Sequence, residues 1–333
     1  MLSELLAKKS VLLADGATGT NLFEMGLQSG DPPEMWNEEH PDRIHALHHA
    51  FVEAGSDIIL TNSFGGNRRR LALHKLDGRV KELNAIAAKN ACVVADGAGR
   101  PVIVAGSVGP TGDLFAPLGA MTEAEAVDVF FEQIEGLKAG GADVIWIETM
   151  SAPEEMRAAA LAAIRANMPY TITASFDTAG KTMMGMPPGQ LPLFAHDLLP
   201  EPVAVGANCG VGASDLLVSV LSMTQANPDA VVIAKANAGI PQFHGDHIHY
   251  SGSPELMGDY ARLAMDAGAR IIGGCCGNSP KHVASMRQAI DSHLRAERPT
   301  MASIIEAIGP LVAPPRVASA EDDAARRSGR RRG

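Results

Sequence analysis

Ala54-Gly55-Ser56-Asp57-Ile58-Ile59, Gly140-Gly141-Ala142-Asp143-Val144-Ile145 and Ala267-Gly268-Ala269-Arg270-Ile271-Ile272 repeat one pattern along the chain. Each ends an amphipathic helical stretch, turns on glycine and starts a short apolar run. Glycine suits the left-handed residue that commonly closes a helix, and a repeated strand–helix unit leaves this kind of echo. Working outward, comparable runs stand at Val11–Asp15, Asp57–Thr61, Pro101–Ala105, Asp143–Glu148, Tyr170–Ser175, Val203–Ala207, Val231–Lys235 and Arg270–Gly273. They are almost continuously apolar, as strands covered on both faces must be. Helix candidates such as His40–Ala54, Thr122–Ala139 and Pro254–Ala267 lie between them. Thr122 with Glu125 fits a capping box, and Pro153 with Glu154 and Glu155 fits a first helical turn.

Eight strands alternating with helices predict an α/β fold with a parallel sheet. The number eight favours a closed (β/α)8 TIM barrel over an open doubly wound sheet. The chain's 333 residues allow either one barrel of about 250 residues with insertions or two domains of about 150. The expected organisation is a single domain over residues 1–299 with an appended segment at 300–333. That segment passes through Pro-rich and acidic sequence (Ala313 to Ala325) into Arg326-Arg327-Ser328-Gly329-Arg330-Arg331-Arg332, and is expected to be a disordered, solvated tail. Aromatic residues make up only 4%, so aliphatic side chains and methionine must fill the core.

A formal charge of −10 argues against a nucleic-acid-binding surface. No run of 18 apolar residues occurs, so no membrane span is expected. Met1–Ser10 carries charges and no long apolar run, unlike a targeting segment. Four cysteines in so long a chain do not make a disulfide framework, and the cytoplasm is the expected compartment. An oligomer is compatible with the sequence.

Barrel chemistry collects at the C-terminal strand ends. These are Asp15-Gly16-Ala17-Thr18-Gly19-Thr20, Thr61-Asn62-Ser63-Phe64-Gly65, Gly106-Ser107-Val108-Gly109-Pro110-Thr111, Glu148-Thr149, Ser175-Phe176-Asp177, Asn208-Cys209-Gly210, Asn237-Ala238-Gly239 and Gly273-Gly274-Cys275-Cys276-Gly277. Cys209, Cys275 and Cys276 thus share one face, with a single strand between their own. Three thiolates suit Zn²⁺ and leave a fourth position open. A vicinal redox pair at Cys275 and Cys276, or plain packing, are the other readings. Cys92 falls in the helical pattern Glu82–Ala95 and reads as a small hydrophobe. His244-Gly245-Asp246-His247-Ile248-His249 has metal-like spacing, but its place several residues past a strand end favours a solvated or substrate-facing loop. Asp15 and Glu148 close apolar strands, where an unpaired charge is costly. Each is either satisfied by neighbouring amides or a lysine, or anchors a substrate ammonium; convergence at one mouth favours the anchor. Gly16–Thr20 is a candidate loop for holding an anion through backbone N–H groups.

Asp15 to Thr20, Ala105 to Gly112, Ile147-Glu148-Thr149, Gly206-Ala207-Asn208-Cys209, Asn237-Ala238-Gly239-Ile240-Pro241 and Gly273 to Pro280 together resemble the homocysteine S-methyltransferase family. The resemblance runs from about residue 8 to 295. It implies a zinc-dependent barrel that makes methionine, with one Zn²⁺ held by Cys209, Cys275 and Cys276. It implies further that Asp15 and Glu148 hold the amino group of homocysteine, with Gly16, Thr18 and Gly19 near its carboxylate and Asn208 beside the site. A zinc-bound thiol loses its proton, whereas a free thiol with a pKa of about 8.5 is mostly protonated at neutral pH.

The methyl donor divides into two expectations. A betaine or other small onium donor calls for an aromatic cage, for which Trp36, Phe64, Phe115 and Trp146 are available and Asn237 is a further donor-side candidate. Gly65 and Thr149 stand where betaine-type animal enzymes resemble one another in carrying tyrosines. Ile147-Glu148-Thr149 resembles instead the homocysteine module of cobalamin-dependent methionine synthase. The length leaves no room for cobalamin or folate domains, which points to methylcobalamin on a separate cobalamin-binding protein. A non-catalytic thiol or metal sensor built on the vicinal cysteines is the contrasting alternative, and it gives Asp15, Glu148 and the glycine loop no task.

Overall fold

The computed structural model describes residues 1–244 and 247–314, without the side chains of residues 241–249. Among the described residues ten strands follow one another: β1 (Leu12–Leu13), β2 (Ile58–Leu60), β3 (Ile103–Val108), β4 (Val144–Met150), β5 (Tyr170–Ala174), β6 (Ala204–Cys209), β7 (Val232–Ala236), β8 (Pro241–His244), β9 (His247–Tyr250) and β10 (Ile271–Gly274). Eight of them form one sheet in the order β1-β10-β7-β6-β5-β4-β3-β2, with every pairing parallel. A parallel bridge between Ala14 and Ile58 brings the two outer strands together. The result is the expected TIM barrel.

The strands alternate their side chains between two apolar layers. Inside the barrel lie Leu12, Ala14, Ile58, Leu60, Ile103, Ala105, Val144, Trp146, Ala204, Ile233 and Ile271, with Leu2, Leu5 and Leu6 of the N-terminal helix packed in the same cluster. Outside, the strands meet helices rich in alanine: Ala158, Ala159, Ala160, Ala162 and Ala163 of Pro153–Arg165 are all fully buried. Small side chains let those helices approach closely, which is how a chain with so few rings closes its outer layer. Gly55, Gly141 and Gly268 all have positive φ, so the three echoed turns are left-handed helix ends. Thr122 accepts from the Glu125 amide and caps the helix Glu123–Ala139.

Two elements differ from the expectation. His244 to His249, expected as a solvated or substrate-facing loop, belongs instead to an antiparallel hairpin of β8 and β9, with residues 245–246 outside the described residues. The segment read as appended contains a helix at Met301–Ile308, whose Ile304 is fully buried in the main core together with Ile308. Asp215 accepts from the Val312 and Ala313 amides and ties the following stretch to the barrel. The basic tail lies outside the described residues. No helix among those described is long and apolar enough to cross a membrane.

Ile304→Ala should cost about 2–4 kcal/mol of stability, the usual range for emptying a filled core position. Urea unfolding of the full chain measures it; an unchanged midpoint would make this helix a dispensable appendage.

Candidate active site

Strand β7 sets the site. Cys209 at the end of β6 pairs with Ala236, and on the other side of β7 Gly274 of β10 pairs with the same residue. The chain leaving β10 therefore starts level with Cys209. The Cys275 amide donates to the Ala236 carbonyl at 2.7 Å, and the Ala238 amide donates to the Cys276 carbonyl at 2.9 Å. All three Sγ atoms lie within 4.8 Å of one another, and Cys209 and Cys276 are 4.0 Å apart. Cys209 takes a φ of +60° to turn its sulfur inward, a conformation that costs about 1–3 kcal/mol and persists only where its surroundings impose it. Gly277 (φ +79°) is glycine by necessity, since a Cβ there would sit 2.4 Å from the Tyr250 ring.

Asn208 is the tie that holds these turns. Its Oδ1 accepts from the Thr149 amide (2.8 Å) and the Thr173 hydroxyl (2.7 Å). Its Nδ2 donates to the Thr149 hydroxyl (2.7 Å) and to Cys275 Sγ (3.8 Å). Thr149, a β-branched residue at φ +61°, is thereby held in a conformation it would otherwise avoid. Asn208, expected beside the substrate, spends both ends of its amide on the protein.

A cavity of about 500 Å³ opens from the cysteines to the barrel mouth. Its lining includes Gly16 to Thr20, Phe64, Ser107, Glu148, Thr149 and Lys235. Gly16 passes so near Asn278 that a Cβ would be 2.4 Å from the Asn278 carbonyl oxygen. Glu148 accepts from the Ser107 hydroxyl through Oε1. Burial pushes its carboxyl up to about 7, with the neighbouring Cys275 adding to the rise and Lys235 opposing it. Asp15 is placed differently. Its Oδ1 accepts from Lys235 Nζ at 2.8 Å and its Oδ2 from the Leu60 amide at 2.7 Å. Burial raises its pKa, against the pull of the lysine.

The thiols differ sharply in acidity. Hydrogen bonds from Cys209 and Cys275, and one from Tyr250, draw Cys276 down to about 3, against the cost of burial. Cys209 moves up because its hydrogen bonds with both neighbours, and burial, favour its protonated form. Cys275 reaches about 12: accepting from Cys209 lowers it, but donation to Cys276, burial and the neighbouring thiolate outweigh that. Negative charge thus settles most readily on Cys276, and a cation is what would allow all three to ionise.

The donor-side residues separate. Phe64 lines the cavity. Trp36 is buried in the core, with the Arg43 guanidinium 4.9 Å from its ring centroid. Trp146 is fully buried inside the barrel, and Phe115 packs against the outer core. Asn237 donates to the Gly210 carbonyl at 2.8 Å, and its Oδ1 is buried without a partner among the described residues. Cys92 sits on the helix Val80–Asp96, donating to the Gly141 carbonyl, and is absent from the cysteine cluster. Sequence reasoning missed Lys235 and Tyr250. A lone lysine in Val231-Val232-Ile233-Ala234-Lys235 was the available signal, because a charge in a strand covered on both faces must have a partner.

The family model described as homocysteine S-methyltransferase matches residues 12–290. This chain belongs to the homocysteine S-methyltransferase family. It is accordingly a methyltransferase. It is 30% identical over 322 residues to the methionine synthase of Mycobacterium tuberculosis, a match covering 90% of this chain and 26% of that protein. The methionine synthase of Mycobacterium leprae is 29% identical over 308 residues, covering 87% and 25%. The chain spans about a quarter of the length of these relatives. Among solved structures, the homocysteine methyltransferase of Escherichia coli in its metallated form superposes with a TM-score of 0.73 at 24% identity, covering 86% of this chain and 99% of that one. Its oxidised form gives 0.73 at 23%. These two share the fold.

With metal removed by a chelator, iodoacetamide at pH 6 should alkylate Cys276 before the other cysteines. A thiol whose pKa is lowered to about 3 is already thiolate throughout pH 5–8, whereas Cys92, raised first by burial, needs alkaline pH. Peptide mass spectrometry reads the order; preferential labelling of Cys92 would contradict this distribution of charge.

Proposed function

We propose that this homocysteine S-methyltransferase holds one Zn²⁺ at Cys209, Cys275 and Cys276, methylates the thiol of homocysteine and so forms methionine. The observation that carries the reading is the convergence of three cysteine sulfurs on the cavity that also presents Glu148. The donor set fits the ion: zinc–sulfur bonds of about 2.3 Å put tetrahedral sulfurs about 3.8 Å apart, close to the 4.0 Å between Cys209 and Cys276. When bound, zinc lowers the pKa of an incoming thiol and so supplies a thiolate nucleophile at neutral pH.

The protein's own groups position the acceptor. Glu148 receives the substrate ammonium, and the bound cation in turn favours the ionised carboxyl that burial opposes. Backbone N–H groups of the Gly16–Gly19 loop face the α-carboxylate, with Thr18 beside them. Asn208 keeps Thr149 and Cys275 in register. The acceptor sulfur attacks the methyl carbon in line while the bond to the donor breaks, a step that needs positioning more than proton transfer.

For the donor, methylcobalamin presented by another protein module is favoured over betaine. Of the four candidate cage residues only Phe64 lines the cavity, and an onium cage needs several ring faces. Similarity to methionine synthases supports the same choice.

Zinc-loaded protein with homocysteine and a methylcobalamin-charged module should yield methionine, and betaine should not. Methionine from betaine alone would overturn the donor assignment. Cys276→Ala should lose zinc and activity by roughly a hundredfold or more, since even partners of metal ligands are worth 10–100-fold, while circular dichroism stays that of the folded barrel. An active, zinc-replete variant would overturn the ligand assignment.

A further inference from the structure

Lys235 projects from the middle of the barrel into the same cavity as the cysteines and is among the largest fully buried side chains of the protein. Its Nζ donates to Asp15 Oδ1 at 2.8 Å and to the Asp15 carbonyl at 3.1 Å. Both side chains are 2% exposed. The second Asp15 oxygen is taken by the Leu60 amide. Asp15 therefore offers both carboxylate oxygens to fixed partners, one of them a strand amide and the other an ammonium anchored on β7. Glu148 is the contrast: one hydrogen bond, from Ser107 to Oε1, leaves Oε2 for a ligand on the cavity wall.

We infer that Lys235 withdraws Asp15 from acceptor recognition, so that of the two strand-end carboxylates only Glu148 reads the substrate ammonium and the cavity also admits mercapto-carboxylates lacking an α-amino group. This rests on the homocysteine reading above and narrows it. For Asp15 to bind an incoming ammonium, Lys235 would have to leave it and remain buried without its partner, which is costly. The lysine charge also repels a second ammonium near Asp15 and favours an acceptor's carboxylate or thiolate. Of the carboxylates that end β1 and β4, Asp15 and Glu148, only Glu148 is thus left to make a charge-assisted contact with the amino group.

Equilibrium binding of homocysteine and of 4-mercaptobutyrate, its analogue without the amino group, to the zinc-loaded full chain tests this by titration calorimetry. The wild-type protein should prefer homocysteine by about ten- to a hundredfold, the span of one charge-assisted hydrogen bond. Glu148→Gln should bring the ratio below about twofold. Lys235→Met, which frees Asp15 Oδ1, should raise it about tenfold or more above wild type. A ratio of about ten or more persisting in Glu148→Gln would show that another carboxylate, Asp15 or the buried Glu34 of the same cavity, reads the ammonium and would overturn the inference; so would a wild-type ratio in a folded Lys235→Met protein. If Lys235→Met does not fold, the Glu148→Gln ratio decides. Failure to bind either thiol overturns this inference and the homocysteine reading together, whereas binding without methyl transfer contradicts only the proposed reaction.

Discussion

The site depends on β7 being paired on both sides. Because Ala236 is the partner of Cys209 on one flank and of Gly274 on the other, two chain segments 66 residues apart in sequence deliver their cysteines at one level of the barrel rim. Parallel strands can be set in this register only by the long helical crossovers between them. The crossover helices, the glycine turns that end them and the alanine layer they pack with are therefore what places three sulfurs within 4.8 Å. Local turn chemistry completes the placement, with Cys209 and Thr149 in left-handed conformations and Asn208 tying them together.

Charge imposes the second constraint. One cavity gathers two buried carboxylates (Glu34 and Glu148), three thiols, a lysine and an arginine, and the barrel interior behind it is apolar. In the protein alone that charge is limited by sharing: Cys276 holds the negative charge by accepting from its neighbours, while burial raises Glu148 and Asp15. Lys235 offsets Asp15 permanently. A divalent cation and a substrate ammonium are the two positive charges that such a lining would welcome, which is why the proposed chemistry and the electrostatics agree.

Much of this was legible in the sequence because the strands are buried on both faces, and continuous apolar runs mark such strands well. All eight barrel strands fall within the expected runs or extend past them by a few residues. Two of the extensions take in polar residues: β3 continues through Ser107 to Val108 and β4 past Glu148 through Thr149 to Met150, since a polar side chain facing the barrel mouth does not interrupt the backbone ladder. The meeting of the cysteines was legible from strand order alone. What lay beyond pattern was partnership. Trp36 looked available for a cage, but its ring carries Arg43 in the core. Asp15 looked like an anchor equal to Glu148, and one lysine from a strand 220 residues away occupies its Oδ1. Ile304 and Ile308, four apart, were the missed sign that the segment after residue 300 packs as a helix.

X-ray absorption at the zinc edge of the purified protein tests the proposed centre most directly. Three sulfur neighbours and one lighter atom should surround each zinc at rest, and addition of homocysteine should convert that shell to four sulfurs. A shell with fewer than three sulfurs, or one that homocysteine leaves unchanged, would contradict thiol activation at this cluster.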